Sequence, residues 1–227
     1  MLLAWKSMSQ TTDRVALARQ HKGAVVAKLL KDAKLPNPCP SIFFRAFKME
    51  GTLEIWGSAK GGEYRLIQTY TVAKQSGIAG PKRQEGDGQV PEGVYTINRF
   101  NPKSSYYLSL GLDYPNASDL IRTANKEAPG SDIFIHGNTV SIGCLAMTDP
   151  IIEEIYLLAL MGKAKGIPVH IFPARMKGPR YAELREANSA HLGFWDELQP
   201  IFLAFEKTRR VPKVRVTPSG AYQIVGS

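Results

Sequence analysis

The stretch IFIHGNTVSIGCLAMTD, from Ile133 to Asp149, decides how the rest of the chain is read. It opens on an apolar run, Ile133-Phe134-Ile135, with the character of a buried strand. The run delivers His136 to the strand's end, with Gly137 directly after it. Eight residues beyond His136 stands Cys144, preceded by Ser141 and Gly143. A free thiol is only a few per cent thiolate at neutral pH, so a cysteine nucleophile needs help. A nearby imidazole can take its proton, or pair with it as imidazolium and thiolate. Gly143 lacks a Cβ and lets a substrate approach the backbone. The N–H groups around Cys144 can then face a developing oxyanion. On spacing alone the packing reading is the stronger one. A buried free cysteine is usually a small core hydrophobe, and a strand-end histidine is more often structural.

The balance shifts on resemblance. His136-Gly137 followed by Ser141-Ile142-Gly143-Cys144 and then Met147 resembles the active-site signature of the YkuD-type L,D-transpeptidases of bacterial cell walls. Within that family the chain is most similar to the YafK-like murein-transpeptidase branch, which includes a lipoprotein-releasing amidase. Gly80 to Ile97, Tyr114 to Asp119 and Phe194 to Arg209 also resemble that branch, so the likeness runs from about Cys39 to Val225. Most YkuD-type enzymes carry Ser-His-Gly-Cys with an arginine two residues after the cysteine. Here Ile142 and Ala146 take the places of that histidine and arginine, as in the YafK-like branch. The connection from His136 to Cys144 is also shorter than in most members.

The resemblance implies acyl transfer at meso-diaminopimelate in peptidoglycan stem peptides. Cys144 is then the nucleophile and His136 the base that becomes the acid. Gly143 and Cys144 hold the oxyanion. Ser141 orients His136 or lines the hole, or simply bonds a turn backbone. Substrate-facing positions fall at Gly137, Asn138, Ile142, Lys82 and Arg83. For Lys82 and Arg83 a substrate carboxylate and a solvated basic loop tip are equal readings. The resemblance favours hydrolysis of a wall-linked amide, such as the bond to an outer-membrane lipoprotein, over the building of 3–3 crosslinks or L,D-carboxypeptidase trimming. A non-catalytic wall-binding module is the reading from another class. A papain-like protease is disfavoured, because that family places its cysteine well before its histidine. The chemistry needs no metal and no organic cofactor. It implies an exported, periplasmic protein.

The 227 residues suffice for one large domain or two small ones. A formal charge of +9 suits a polyanionic partner. A carboxylate-rich wall polymer fits better than nucleic acid, because no nucleic-acid-binding signature is present. No apolar run approaches the ~18 residues that span a bilayer. The opening MLLAWKSMSQ is too short and too polar for a whole signal peptide, so an export signal is expected to have been removed or to lie outside this chain. Of the two cysteines, Cys39 is expected to be structural, since a Cys39–Cys144 disulfide would disarm the nucleophile.

The expected fold is mainly β (α+β): a YkuD-type β-sandwich with an N-terminal helix and a C-terminal helical and hairpin extension. Residues 1–38 form the helix and linker, with the helix from Thr12 to Ala33 capped by Thr12 or Asp13. Residues 39–175 form the catalytic domain. It begins with a meander over Ile42–Phe47, Thr52–Trp56 and Glu63–Ala73, with Gly61-Gly62 in a turn. A long Gly- and Pro-rich loop runs from Ser76 to Gly93, a length that usually signals function or disorder. Strands follow at Val94–Phe100, Ser104–Leu110 and Ile167–Phe172, where His170 reads as a core residue. A helix from Asp149-Pro150 to about Lys165 has Asp149 as its N-cap. Residues 176–227 form the extension: helices over Arg180–Ser189 and Trp195–Thr208, with Pro200 kinking or dividing the second, and a hairpin around Pro218-Ser219-Gly220.

Overall fold

Every residue of strand β1 (Ser41–Phe47) is buried, and the two-residue period of a strand sorts them between two cores. Ile42, Phe44 and Ala46 enter one cluster, while Phe43 and Phe47 enter clusters on the opposite face. A strand with no solvent face belongs at the centre of a sheet covered on both sides. The computed structural model of the chain, which describes residues 13–60 and 62–226, shows that arrangement. The MLLAWKSMSQ stretch, Thr12 and Gly61 lie outside the described residues.

Strands β2 (Thr52–Ser58) and β3 (Arg65–Thr71) extend β1 as an antiparallel meander. On the other side β1 pairs in parallel with β8, introduced below. Strand β4 (Gly93–Ser104) is long and serves two neighbours. Its first four residues pair with β8, and its later part pairs with β5 (Tyr107–Leu112) across two register shifts. Those irregularities bend the strand, as bulges do. Strand β6 (Phe134–His136) adds to β5, and the two-residue β7 (Leu145–Ala146) runs parallel to β6. With β8 (Pro168–Phe172) the order is β3-β2-β1-β8-β4-β5-β6-β7. The sheet curls until its edges meet, because Lys74, just past β3, forms an antiparallel bridge with Ala146. The α+β class is therefore as expected. The short β7 and helix α2 (Ala117–Arg122) had no periodic signal in the sequence.

Helix α1 (Arg14–Asp32), capped by the Asp13 carboxylate, buries Ala18, Val26 and Leu30. It lies on α3 (Asp149–Gly162), the apolar helix that fills the larger core. The helices are pinned by polar contacts. Lys22 Nζ donates to Glu154 at 2.8 Å, and His21 meets Glu153 at 3.0 Å. Tyr70 and Tyr107 donate to the same two carboxylates. Glu153 and Glu154 are thus buried partners of α1 and the sheet. Thr148, rather than Asp149, occupies the N-cap of α3, without a side-chain cap bond.

The opposite face is covered by the C-terminal segment. It comprises α4 (Pro179–Ala187), α5 (Leu192–Thr208) and the hairpin of β9 (Val214–Val216) and β10 (Tyr222–Ile224). Helix α5 runs through Pro200 unbroken and buries Phe194, Trp195, Leu198, Ile201, Phe202 and Phe205. Cys39 is fully buried and free, with its thiol against the Ser41 and Ser58 carbonyls. Among the described residues no helix is long and apolar enough to cross a membrane, and no group of His, Cys, Asp and Glu side chains is arranged to hold a metal ion.

Candidate active site

The parallel pairing of β6 and β7 brings the two ends of the decisive stretch together. Ile135 lies opposite Leu145 and His136 opposite Ala146, so Cys144 enters β7 beside the strand that carries the histidine. The Met147 N–H donates to the His136 carbonyl at 2.8 Å and closes the unit. The intervening turn holds its shape by local bonds. The Asn138 N–H donates to Asp149 Oδ1 at 2.7 Å, and the Thr148 N–H donates to the Asn138 carbonyl. Asp149 therefore caps this turn instead of helix α3. Gly137 is demanded by space: a Cβ there would stand 2.5 Å from Asp149 Oδ1 and 2.8 Å from the Tyr106 carbonyl.

His136 is buried, and its Nδ1 lies 2.5 Å from the Gly137 carbonyl. A carbonyl only accepts, so Nδ1 carries the proton and Nε2 is left with its lone pair. The Tyr106 ring lies over the imidazole with centroids 4.7 Å apart and fixes its plane. Burial lowers the imidazole's pKa, against a smaller opposing effect of the Gly137 carbonyl. The ring is therefore a neutral base at neutral pH.

Cys144 is half-buried and free. Its sulfur accepts the Phe134 N–H at 3.4 Å. Among the described residues no hydrogen bond joins it to the His136 ring in this resting arrangement. Burial raises the thiol's pKa, while the Phe134 N–H and the Lys82 charge pull it down by less. The resting pair is thus thiol and imidazole, and of the two protonation patterns open from sequence it is the neutral one.

Ser141 bonds within its own turn, accepting the Cys144 N–H at 3.1 Å and donating to the Cys144 carbonyl at 2.6 Å. The Gly143 N–H donates to Ser76 Oγ at 2.7 Å. Both N–H groups expected at the oxyanion position are held by serine hydroxyls in the resting state. Ser76 had no sequence signal beyond lying at the start of the long loop.

The other expected substrate positions divide. Ile142 is 83 % exposed beside the cysteine, and Asn138 is exposed with its backbone in the left-handed region. Lys82 and Arg83 turn inward. Lys82 Nζ is buried against Asp87 Oδ1 at 2.7 Å and the Gln84 carbonyl. Arg83 stacks on Phe194, 4.7 Å from the ring centre, and faces Asp119 at 3.5 Å. Both cations are therefore engaged within the protein, and neither is a solvated loop tip. Ala146, which stands where most YkuD-type enzymes carry arginine, is fully buried, and its backbone pairs with Lys74.

The YkuD family model, an L,D-transpeptidase catalytic domain, matches residues 58–171. The chain belongs to that family. It is 35 % identical over 204 residues to YafK of Escherichia coli (strain K12), covering 88 % of this chain and 78 % of that protein. Among solved structures it is similar to the helical cell shape determining protein Pgp2 of Campylobacter jejuni, at 17 % identity and a TM-score of 0.48, covering 85 % of this chain and 80 % of Pgp2. It is also similar to Bd1075 of Bdellovibrio bacteriovorus, at 21 % identity and a TM-score of 0.44, covering 76 % and 62 %. The L,D-transpeptidase family acts on peptidoglycan.

Proposed function

We propose that this chain is a cysteine acyl-transfer enzyme of the periplasm that hydrolyses an amide linked to meso-diaminopimelate, such as the bond between peptidoglycan and a lipoprotein. The observation that carries the reading is the Nδ1 contact of His136 with the Gly137 carbonyl, which leaves Nε2 as a base one strand away from the only half-buried thiol. The similarity to YafK supports the branch.

In this mechanism the Cys144 sulfur attacks the substrate carbonyl as its proton passes to His136 Nε2. The C–N bond breaks, and the imidazolium returns that proton to the leaving amine. Water then attacks the thioester with His136 again as base, releasing a carboxylate and restoring the thiol. The neutral resting pair makes proton transfer part of the attack. Substrate entry must also bring the thiol from the Phe134 N–H to the imidazole.

The test is mass spectrometry of peptidoglycan carrying linked lipoprotein after incubation with wild type and with Cys144→Ala. Release of lipoprotein ending in an intact lysine, lost in the variant, is expected. Crosslinked 3–3 dimers or trimmed tripeptides without such release would place the protein with transpeptidases or carboxypeptidases. An unchanged wall would leave it a binding module.

A further inference from the structure

The loop between β3 and β4 has no regular secondary structure, yet it is anchored like a buried element. Lys48, at the end of β1, is 6 % exposed, and its ammonium donates to the Gly80 carbonyl at 2.6 Å, the Val90 carbonyl at 2.9 Å and Glu92 Oε1 at 3.1 Å. Bonds to Gly80 and Val90 draw the neck of the loop shut. Glu92 is fully buried and accepts two further donors, the Gly80 N–H at 2.8 Å and Trp195 Nε1 at 2.8 Å. Trp195 is a fully buried residue of α5. Within the loop the Asp87 carboxylate gathers Lys82 Nζ and the N–H groups of Arg83, Gln84 and Gln89.

Two points of this stapled loop meet Gly143. Ser76 Oγ accepts the Gly143 N–H at 2.7 Å and donates its own proton to the Gly88 carbonyl at 2.7 Å. The Gln89 carbonyl lies 3.0 Å from where a Cβ of Gly143 would be, and Gly143 has φ of +89°. The peptide next to the nucleophile is therefore fixed from the loop, and the loop is fixed from β1 and α5.

We infer that Ser76 is a positioning residue for the Gly143–Cys144 peptide, and that the C-terminal helix acts on the site through Trp195, Glu92 and this loop. The inference rests on Cys144 being the nucleophile. Its chemical sense lies in an exchange of acceptors. Ser76 offers the Gly143 N–H a neutral oxygen. A ground-state carbonyl that displaces it gains little, whereas an oxyanion forms a charge-assisted bond roughly twice as strong. The N–H is thus kept aimed and satisfied, and yields mainly to the transition state.

The experiment combines amide hydrogen exchange with kinetics on Ser76→Ala, Ser76→Thr, Glu92→Gln and Trp195→Phe. In Ser76→Ala the Gly143 amide should exchange about tenfold faster while the core amide of Ile135 is unchanged. On a peptidoglycan fragment bearing an amide-linked lysine, kcat should fall about tenfold with KM little changed, because the Gly143 N–H is no longer held in line for the developing oxyanion. Ser76→Thr, which keeps the hydroxyl, should restore both the exchange rate and kcat. Glu92→Gln and Trp195→Phe should speed Gly143 exchange in the same direction. Unchanged exchange at Gly143 in Ser76→Ala, or a kcat unaffected by that change, overturns the inference. Should wild type leave the fragment intact, the functional reading fails, and the exchange data alone still decide whether Ser76 positions Gly143.

Discussion

His136 and His170 lie on the same curled sheet and are each 1 % exposed, yet their surroundings differ in kind. His170 sits in the middle of β8, between β1 and β4, with its ring edge-on to Phe43 and Phe172. Its Nδ1 has no hydrogen-bond partner among the described residues. Burial, with the Arg45 charge beside it, pushes its pKa down to about 3. His136 ends its strand instead of lying inside it, and its Nδ1 proton is committed to a carbonyl. Equal burial therefore says nothing about role. What distinguishes the two is a fixed tautomer at a strand end against a ring between aromatic neighbours whose Nδ1 has no partner among the described residues.

The sharpest way to break this contrast is to exchange each ring for a group that cannot shuttle a proton. His136→Gln should retain the fold and lose about 10²–10⁴-fold in turnover, the usual contribution of a positioned acid–base. His170→Leu should leave turnover within a factor of two of wild type. Steady-state rates on the lipoprotein-linked substrate check both. A silent His136→Gln would remove the basis for the assigned base.

Acid stability separates the pair by a smaller margin. The neutral form of His170 is held in the folded state far below the unfolded pKa of about 6.5. Below that value the unfolded chain takes up a proton that the folded chain refuses. This residue's stabilising contribution is thus complete above pH 6.5 and is lost as the pH falls towards the folded value. The slope is up to about 1.4 kcal/mol per pH unit over that window. Urea unfolding of wild type and His170→Leu between pH 7 and pH 4 should show the variant with a flatter dependence. Parallel curves would mean that the ring gains a proton or a water when folded.

The same contrast explains what was legible in the sequence. His170 alternates with core residues in Ile167 to Phe172, and periodicity alone marked it as packed. The strand before His136, the glycine after it and the later cysteine were equally local, and they set both the β6 element and the candidate pair. The meander, α3 and α5 were read from the same kinds of period. What escaped was held by contacts between distant segments. Ser76 meets Gly143 across 67 residues, and Glu92 meets Trp195 across 103. No spacing rule joins such positions, and Arg83 read equally as a substrate contact or a solvated loop tip because Asp119 and Phe194 join it only in the fold. Asp149 made a plausible helix cap and instead spends its carboxylate on Asn138, because the tight turn after His136 leaves that N–H without another partner.

The smallest expected effect concerns the thiol itself. An ion pair formed in advance would keep Cys144 reactive well below pH 8. The structure argues the reverse, because burial raises the thiol's pKa and lowers that of the imidazole, and the sulfur's hydrogen bond comes from Phe134 and not from His136. In the free protein, alkylation of Cys144 by iodoacetamide should therefore rise with a midpoint above the ordinary thiol value of about 8.5. Cys39, fully buried, should stay unlabelled and serve as the internal control. His136→Gln should move that midpoint little, although it should cost turnover about 10²–10⁴-fold. In the proposed mechanism the imidazole acts on the thiol once a substrate has brought the two together, and a resting-state titration does not see it. A midpoint near pH 6 that vanishes in His136→Gln would establish the preformed pair and would make the Phe134 contact a minor conformer.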